Sequence, residues 1–269
     1  MSWMRELFGT DRPVVGLMHL LAMPTDPGFD AEGGMDAVLE RARRELYALQ
    51  NGGIDAVLFC NEFSIPYVRN VEHVTIGAMA YVIGALSREI QVPFGVHAAH
   101  DPAHTLDLAG AVGADFVRGY FSGINGGDYG MMNFEPGQLR RHQVHVCAQK
   151  ARVFHSLVPE GGRPMVDRDY REMAITNDFN LAPDAFMVAA LTAGREPDLS
   201  LIKEIKGVTK TPVFCNNGVT AETVAKILSI ADGCMVGTGL KKDGVFTNEV
   251  DEKRVAALMR SARMARGEG

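Results

Sequence analysis

PVFCNNGVTAETVAKILSIADGCMVGTGLKKDG, residues 212–244, holds two short apolar runs, VFC and CMVG, each ending in a glycine-bearing polar turn, with a helix-like segment between them. Continuous apolar runs of this length suit strands buried on both faces, as in a parallel sheet covered by helices. Strand, polar turn, helix, strand, polar turn is therefore a βαβ unit whose two turns lie at the same end of the sheet.

The same alternation extends outward over the chain. Runs at 14–18, 55–60, 93–98, 115–119, 151–156 and 184–190 join 212–215 and 233–236 as eight predicted strands. Segments 35–51, 72–90, 102–112, 136–148, 167–178, 197–207, 220–230 and 251–265 read as helices; in the first, Met35, Val38, Leu39, Ala42, Leu46 and Leu49 recur on one helical face. Eight strands and eight helices in 269 residues is the pattern of an α/β single (β/α)8 TIM barrel, one domain over 1–269. GGID at 52–55, VGAD at 112–115 and IADG at 230–233 supply tight helix-to-strand connections. Asp101 before Pro102, Glu135 before Pro136 and Glu196 before Pro197 mark three helix starts. VPEGGRPM, after the fifth run, reads as a long turn.

Composition limits the function. With 46% hydrophobic and 22% charged residues the chain can bury a large core, and a net charge of −6 without a long Lys/Arg cluster argues against nucleic acid as a partner. No apolar run is long enough for a membrane span, and the N-terminal segment lacks a secretory apolar core, so a cytoplasmic location is expected. Barrels of this size commonly associate, and a homo-oligomer is expected. Cys60, Cys147, Cys215 and Cys234 show no CxxC spacing; Cys60, Cys215 and Cys234 sit in apolar runs and read as inert buried thiols.

In a parallel barrel the strand C-termini share one mouth, and the turns after the seventh and eighth strands commonly cradle a phosphate. Asn216, Asn217 and Gly218, with Gly237, Thr238 and Gly239, occupy those turns, and Lys241 or Lys242 would add a cation. A phosphorylated small molecule is the expected ligand. His19, Asn61, Glu62, His97, Arg118 and His155 fall at other strand ends. A histidine near neutrality and a carboxylate raised by apolar walls suit enolisation, so His19, Glu62, His97 and His155 are the catalytic candidates, with Asn61 and Arg118 binding substrate. Arg118 reads equally as a structural ion-pair partner. The same four catalytic candidates are possible ligands for a divalent metal, although no local spacing selects one. A Schiff-base lysine facing the barrel interior is not expected. His73, His104, His142 and His145 lie on helices as surface or packing residues, Asp101 reads as a helix cap, and YFSGINGGDYGMMNFEPG, residues 120–137, reads as a lid or a subunit contact.

The blocks VVGLMHLLAMPTDPGF, NGGIDAVLFCNEF, VPFGVHAAHD, VGADFVRGYFSG, NNGVTAETVAKIL and ADGCMVGTGLKKDGVFTNEVD resemble the BtpA/SgcQ family over almost the whole chain. That resemblance implies a ribulose-phosphate-binding type of barrel whose members are mostly predicted enzymes; one branch is named for photosystem I biogenesis and another belongs with sugar-utilisation genes. VFHSLVPEGG departs from a histidine-rich run expected after the fifth strand and keeps only His155. The expected function is isomerase, epimerase or aldolase chemistry on a phosphorylated sugar or phosphoribosyl compound through an enediolate; the alternative is a non-catalytic photosystem I assembly factor.

Overall fold

The computed structural model describes residues 2–158, 160–190 and 198–268. In chain order the elements are α1 (Trp3–Phe8), β1 (Val14–His19), α2 (Gly34–Asn51), β2 (Ala56–Cys60), α3 (His73–Leu86), β3 (Phe94–His97), α4 (Pro102–Val112), β4 (Phe116–Gly119), β5 (Gly123–Gly127), β6 (Gly130–Phe134), α5 (Pro136–His145), β7 (Arg152–Val158), β8 (Gly162–Pro164), α6 (Tyr170–Asn180), β9 (Ala185–Ala189), α7 (Leu199–Lys206), β10 (Val213–Asn216), α8 (Val224–Leu228), β11 (Gly233–Val236) and α9 (Glu252–Arg266). Strands β1, β2, β3, β4, β7, β9, β10 and β11 close a parallel barrel in that order. The expected (β/α)8 architecture is therefore present, and its eight strands are the eight expected ones.

Strand alternation divides the core in two. One cluster contains Val15, Leu17, Ala56, Leu58, Cys60, Phe116, Phe154, Met187, Phe214 and Met235 inside the barrel; another contains Val14, Met18, Val57, Phe59, Val117, Val153, Phe186 and Cys215 packed with helix residues such as Leu46, Val82 and Ile202. The short helix α1 has no counterpart among the expected elements. Its Met4 and Phe8 join the interior cluster, and Phe8 stands edge-on to Phe116 and Phe154, so it plugs the N-terminal end. Six residues are too few for a periodic signal.

The helix-to-strand connections do more than turn. Asp55 accepts a hydrogen bond from the N–H of Val14 at 2.7 Å, Asp115 from Phe94 at 3.0 Å, Asp184 from Val153 at 2.8 Å and Asp232 from Val213 at 2.9 Å. Each aspartate thus ties the start of its neighbouring strand and satisfies an otherwise open ladder donor at the lower rim. Asp101 caps α4 as expected, accepting from the His104 N–H. The expected helix start at Glu196 and Pro197 lies outside the described residues; α7 is capped by Asp198. The segment expected at 220–230 is helical only over Val224–Leu228, because Thr220 and Thr223 hydrogen-bond each other and hold the chain in a turn. Residues 120–137 are not structureless: β5 and β6 form an antiparallel hairpin, and β8, inside the expected long turn VPEGGRPM, adds a third strand. Among the described residues no helix is long and apolar enough to cross a membrane.

Candidate active site

The inward residues at the C-terminal ends of the barrel strands make the floor of one mouth. His19 pairs in register with Cys60, and Cys60 with His97, so three consecutive strands present these side chains at one level. Arg118 is the penultimate residue of β4, Asn216 ends β10, and Glu62 lies two residues beyond β2. Arg118 Nη2 donates to Glu62 Oε1 at 3.1 Å and Nη1 to Asn216 Oδ1 at 3.2 Å, while the Tyr67 hydroxyl donates to Glu62 Oε2 at 2.8 Å.

A cavity of about 540 Å³ adjoins this network and is lined by His19, Glu62, Arg118 and Asn216 on one side and by Asn217, Gly218, Gly237, Thr238 and Gly239 on the other. A smaller recess continues from Glu62 and Arg118 to His97 and His100. Sites named from distant parts of the sequence thus share one mouth. Among the described residues no hydrogen bond runs from the N–H groups of Gly218, Thr238 and Gly239 to an acceptor outside their own turn, and all three residues line the cavity.

Glycine is required at both later turn positions by close approach. A Cβ on Gly237 would lie 2.6 Å from His19 Nε2, and one on Gly239 would collide with the Val219 carbonyl oxygen. Gly239→Ala is expected to cost about 1–3 kcal/mol through this overpacking. Gly77→Ala, on an open face of α3, is its control and should stabilise by about 0.5–1 kcal/mol. Denaturant unfolding of the two variants gives the comparison; equal midpoints would contradict the assigned contact.

Three expected site residues do other work. Lys241 does not face the mouth: its Nζ lies 3.0 Å from both Glu45 carboxylate oxygens, fully buried, because the chain after β11 folds back against α2. Asn61 is buried and its Oδ1 accepts from the Ala99 N–H at 2.7 Å, pinning the chain after β3. His155 follows inward Phe154, so alternation turns its ring outward; Nδ1 accepts from the Phe121 N–H at 3.2 Å and the ring packs on Phe186. Neither the cavity nor the recess includes Asn61, Lys241 or His155. Among the described residues the grouping able to hold a metal is His19, Cys60 and Glu62, without His97 or His155.

Electrostatics also differ from expectation. Burial pushes His19 down to about 4 and His97 down to about 3, so both rings are neutral at pH 7 rather than poised near it. His97 Nδ1 lies 2.8 Å from the Arg118 carbonyl oxygen, which can only accept; Nδ1 therefore carries the proton and Nε2 is a lone-pair acceptor. Burial alone would raise Glu62, but the Arg118 cation and the Tyr67 hydrogen bond hold the carboxyl well below its usual range, and His19 and His97 add to this only at a pH low enough to charge their rings. With the histidines neutral, Arg118 is the permanent cation in that set. The raised carboxyl is Glu160, shifted by burial and by repulsion from Glu62, with Asn217 Nδ2 donating to its Oε2 at 3.2 Å.

Glu160 lines both the cavity and the recess, yet its only sequence signal is a carboxylate after the fifth strand. Arg254 also lines the cavity from the first turn of α9, its Nε donating to the Gly239 carbonyl at 3.1 Å. Nothing local distinguishes it from other helix arginines. Tyr129 of the hairpin reaches the cavity and packs 4.4 Å from His100, ring centre to ring centre. The site therefore combines donors for an anion, an ionised carboxylate paired to arginine, a neutral imidazole acceptor and a carboxyl of raised pKa. Opposed shifts on neighbouring groups suit proton transfer beside a developing negative charge.

The BtpA family model matches residues 10–264. The chain is similar to the sgc region protein SgcQ of Escherichia coli, 45% identical over 260 residues, covering 96% of this chain and 97% of the relative. It is also similar to the photosystem I biogenesis protein BtpA of Synechocystis, 28% identical over 97% of this chain and 91% of the relative. Among solved structures, N-(5'-phosphoribosyl)anthranilate isomerase from Pyrococcus furiosus superposes with a TM-score of 0.56 at 13% identity, covering 94% of this chain and 99% of that one. This last likeness is one of fold.

Proposed function

Because this chain belongs to the BtpA family, we propose that it is an enzyme acting on a phosphorylated sugar or a phosphoribosyl-type small molecule, with isomerase, epimerase or aldolase chemistry through an enediolate. The observation that carries this reading is the single cavity joining the Gly218 and Gly237–Gly239 turns to Glu62, Arg118 and Glu160. In it the phosphate takes the N–H groups of Gly218, Thr238 and Gly239, with Thr238 Oγ1 and Arg254 completing the cradle. Glu160 exchanges the proton next to the substrate carbonyl, since its raised pKa brings it toward neutrality. Arg118 stabilises the enediolate oxygen, and His97 Nε2 accepts from a substrate hydroxyl. Glu62 holds Arg118 in place.

A non-catalytic assembly role is less well supported. A docking surface has no use for two arginines, two carboxylates and three neutral imidazoles gathered inside a barrel mouth.

The test is ligand-dependent thermal unfolding with inorganic phosphate, ribulose 5-phosphate and related sugar phosphates, together with deuterium exchange from solvent into the sugar carbon. Ligand at one hundred times its dissociation constant should add about 2.7 kcal/mol of stability. Arg254→Met and Thr238→Val should weaken that response. Absence of both stabilisation and exchange across the panel would overturn the proposal.

A further inference from the structure

We propose that His19, Cys60 and Glu62 form a binding site for one thiophilic divalent cation of the Zn²⁺ class at the floor of the cavity. The three residues offer ligand atoms that all lie within 4.8 Å of one another, and they combine imidazole nitrogen, thiol sulfur and carboxylate oxygen. That mixture selects a borderline-soft ion over Mg²⁺ or Ca²⁺, which take oxygen. Cys60 is free and buried as expected, and the proposal gives that thiol a ligand's role.

Two further observations support a ligand here. His19 is 5% exposed and its Nδ1 has no hydrogen-bond partner; among the described residues only His100 Nδ1 and Arg266 Nε share that state. Glu62 is held at both oxygens, by Arg118 and Tyr67, as carboxylate ligands are when outer hydrogen bonds fix their orientation.

Charge balance requires the thiol. Arg118 already neutralises Glu62, so a divalent ion brings more positive charge than one carboxylate offsets. On coordination the Cys60 S–H bond is exchanged for a sulfur–metal bond and the proton passes to buffer, supplying the second anion. Three protein ligands leave a coordination position open, and both His19 and Glu62 line the cavity. What the ion would do there rests on the proposed function: it would stand beside the enediolate oxygen. Its binding does not depend on that reading.

Cobalt(II) is the probe, because a thiolate ligand gives it a near-ultraviolet charge-transfer band. The exposed Cys147 is replaced by alanine in every sample. Chelator-treated protein titrated with Co²⁺ should take up one ion per chain with that band, and Zn²⁺ should displace it. Cys60→Ser should lose the band while keeping its far-ultraviolet circular dichroism, and His19→Gln should weaken cobalt binding. No band in the parent protein at saturating Co²⁺, or a band of equal strength in Cys60→Ser, overturns the site. Stabilisation by phosphate in chelator separates the two proposals: it survives if only the metal site is wrong and disappears if the anion site is wrong.

Discussion

Mild acid is expected to unfold this protein before its carboxylates are protonated. His19 and His100 are pushed down to about 4, and His97 and His155 to about 3, each chiefly by burial, from an ordinary value of 6.5. In the folded chain they stay neutral as pH falls below 6.5, whereas the unfolded chain takes up protons. A depressed folded pKa means stability is fully present above the unfolded value and is lost as pH falls toward the folded one. The loss is about 1.4 kcal/mol per pH unit per ring, and so up to about 5.5 kcal/mol per unit for four rings. That is comparable with the whole stability of an ordinary domain.

Glu62, depressed in the fold, acts in the same direction only below the ordinary carboxylate range. Glu160, whose pKa is raised, acts in the opposite sense, gaining stability as pH falls, but it is one group against four. Urea unfolding at a series of pH values from about 7 to about 5 measures the slope. His155→Gln, outside the cavity, should lower it by about 1.4 kcal/mol per unit. A stability independent of pH over that interval would refute the assignment of neutral buried rings.

The second large effect belongs to Arg118. Its side chain is 9% exposed and that of Glu62 18%, and the pair is closed further by Asn216 and Tyr67. Arg118→Met leaves a buried carboxylate without its cation and should destabilise by about 3–5 kcal/mol. Adding Glu62→Gln removes the stranded charge, so the double variant should recover most of that loss. A double-mutant cycle by urea unfolding measures the coupling. Single-variant losses below about 1 kcal/mol, the value for an exposed pair, would show that the pair is solvated rather than part of a closed mouth.

Legibility differed from residue to residue for physical reasons. The turn residues Gly218, Gly237, Thr238 and Gly239 were readable because parallel strands put every C-terminal turn on one side. Arg118 was readable as either a binding or a pairing group, and it makes the structural pair with Glu62 while facing the cavity. His155 was misread by one position of alternation. Its strand is apolar on both faces, so the sequence shows no inward or outward phase there. Lys241 was misread because the fold supplies a buried partner, Glu45, 196 residues away. Glu160 lay in a segment that resembles a turn, and it lines the mouth just before the third strand of the small sheet, a placement that no local pattern signals.

By itself the sequence determined the number and order of barrel strands, since alternating buried runs and amphipathic helices leave few ways to cover apolar surface on both sides of a sheet. It also determined which end of the barrel carries polar turns. Only the tertiary structure decided which ionisable groups face one another, because charge and protonation depend on distances of a few ångströms and on burial. Those quantities arise between His19, Cys60, Glu62, Arg118 and Glu160 only when the barrel closes.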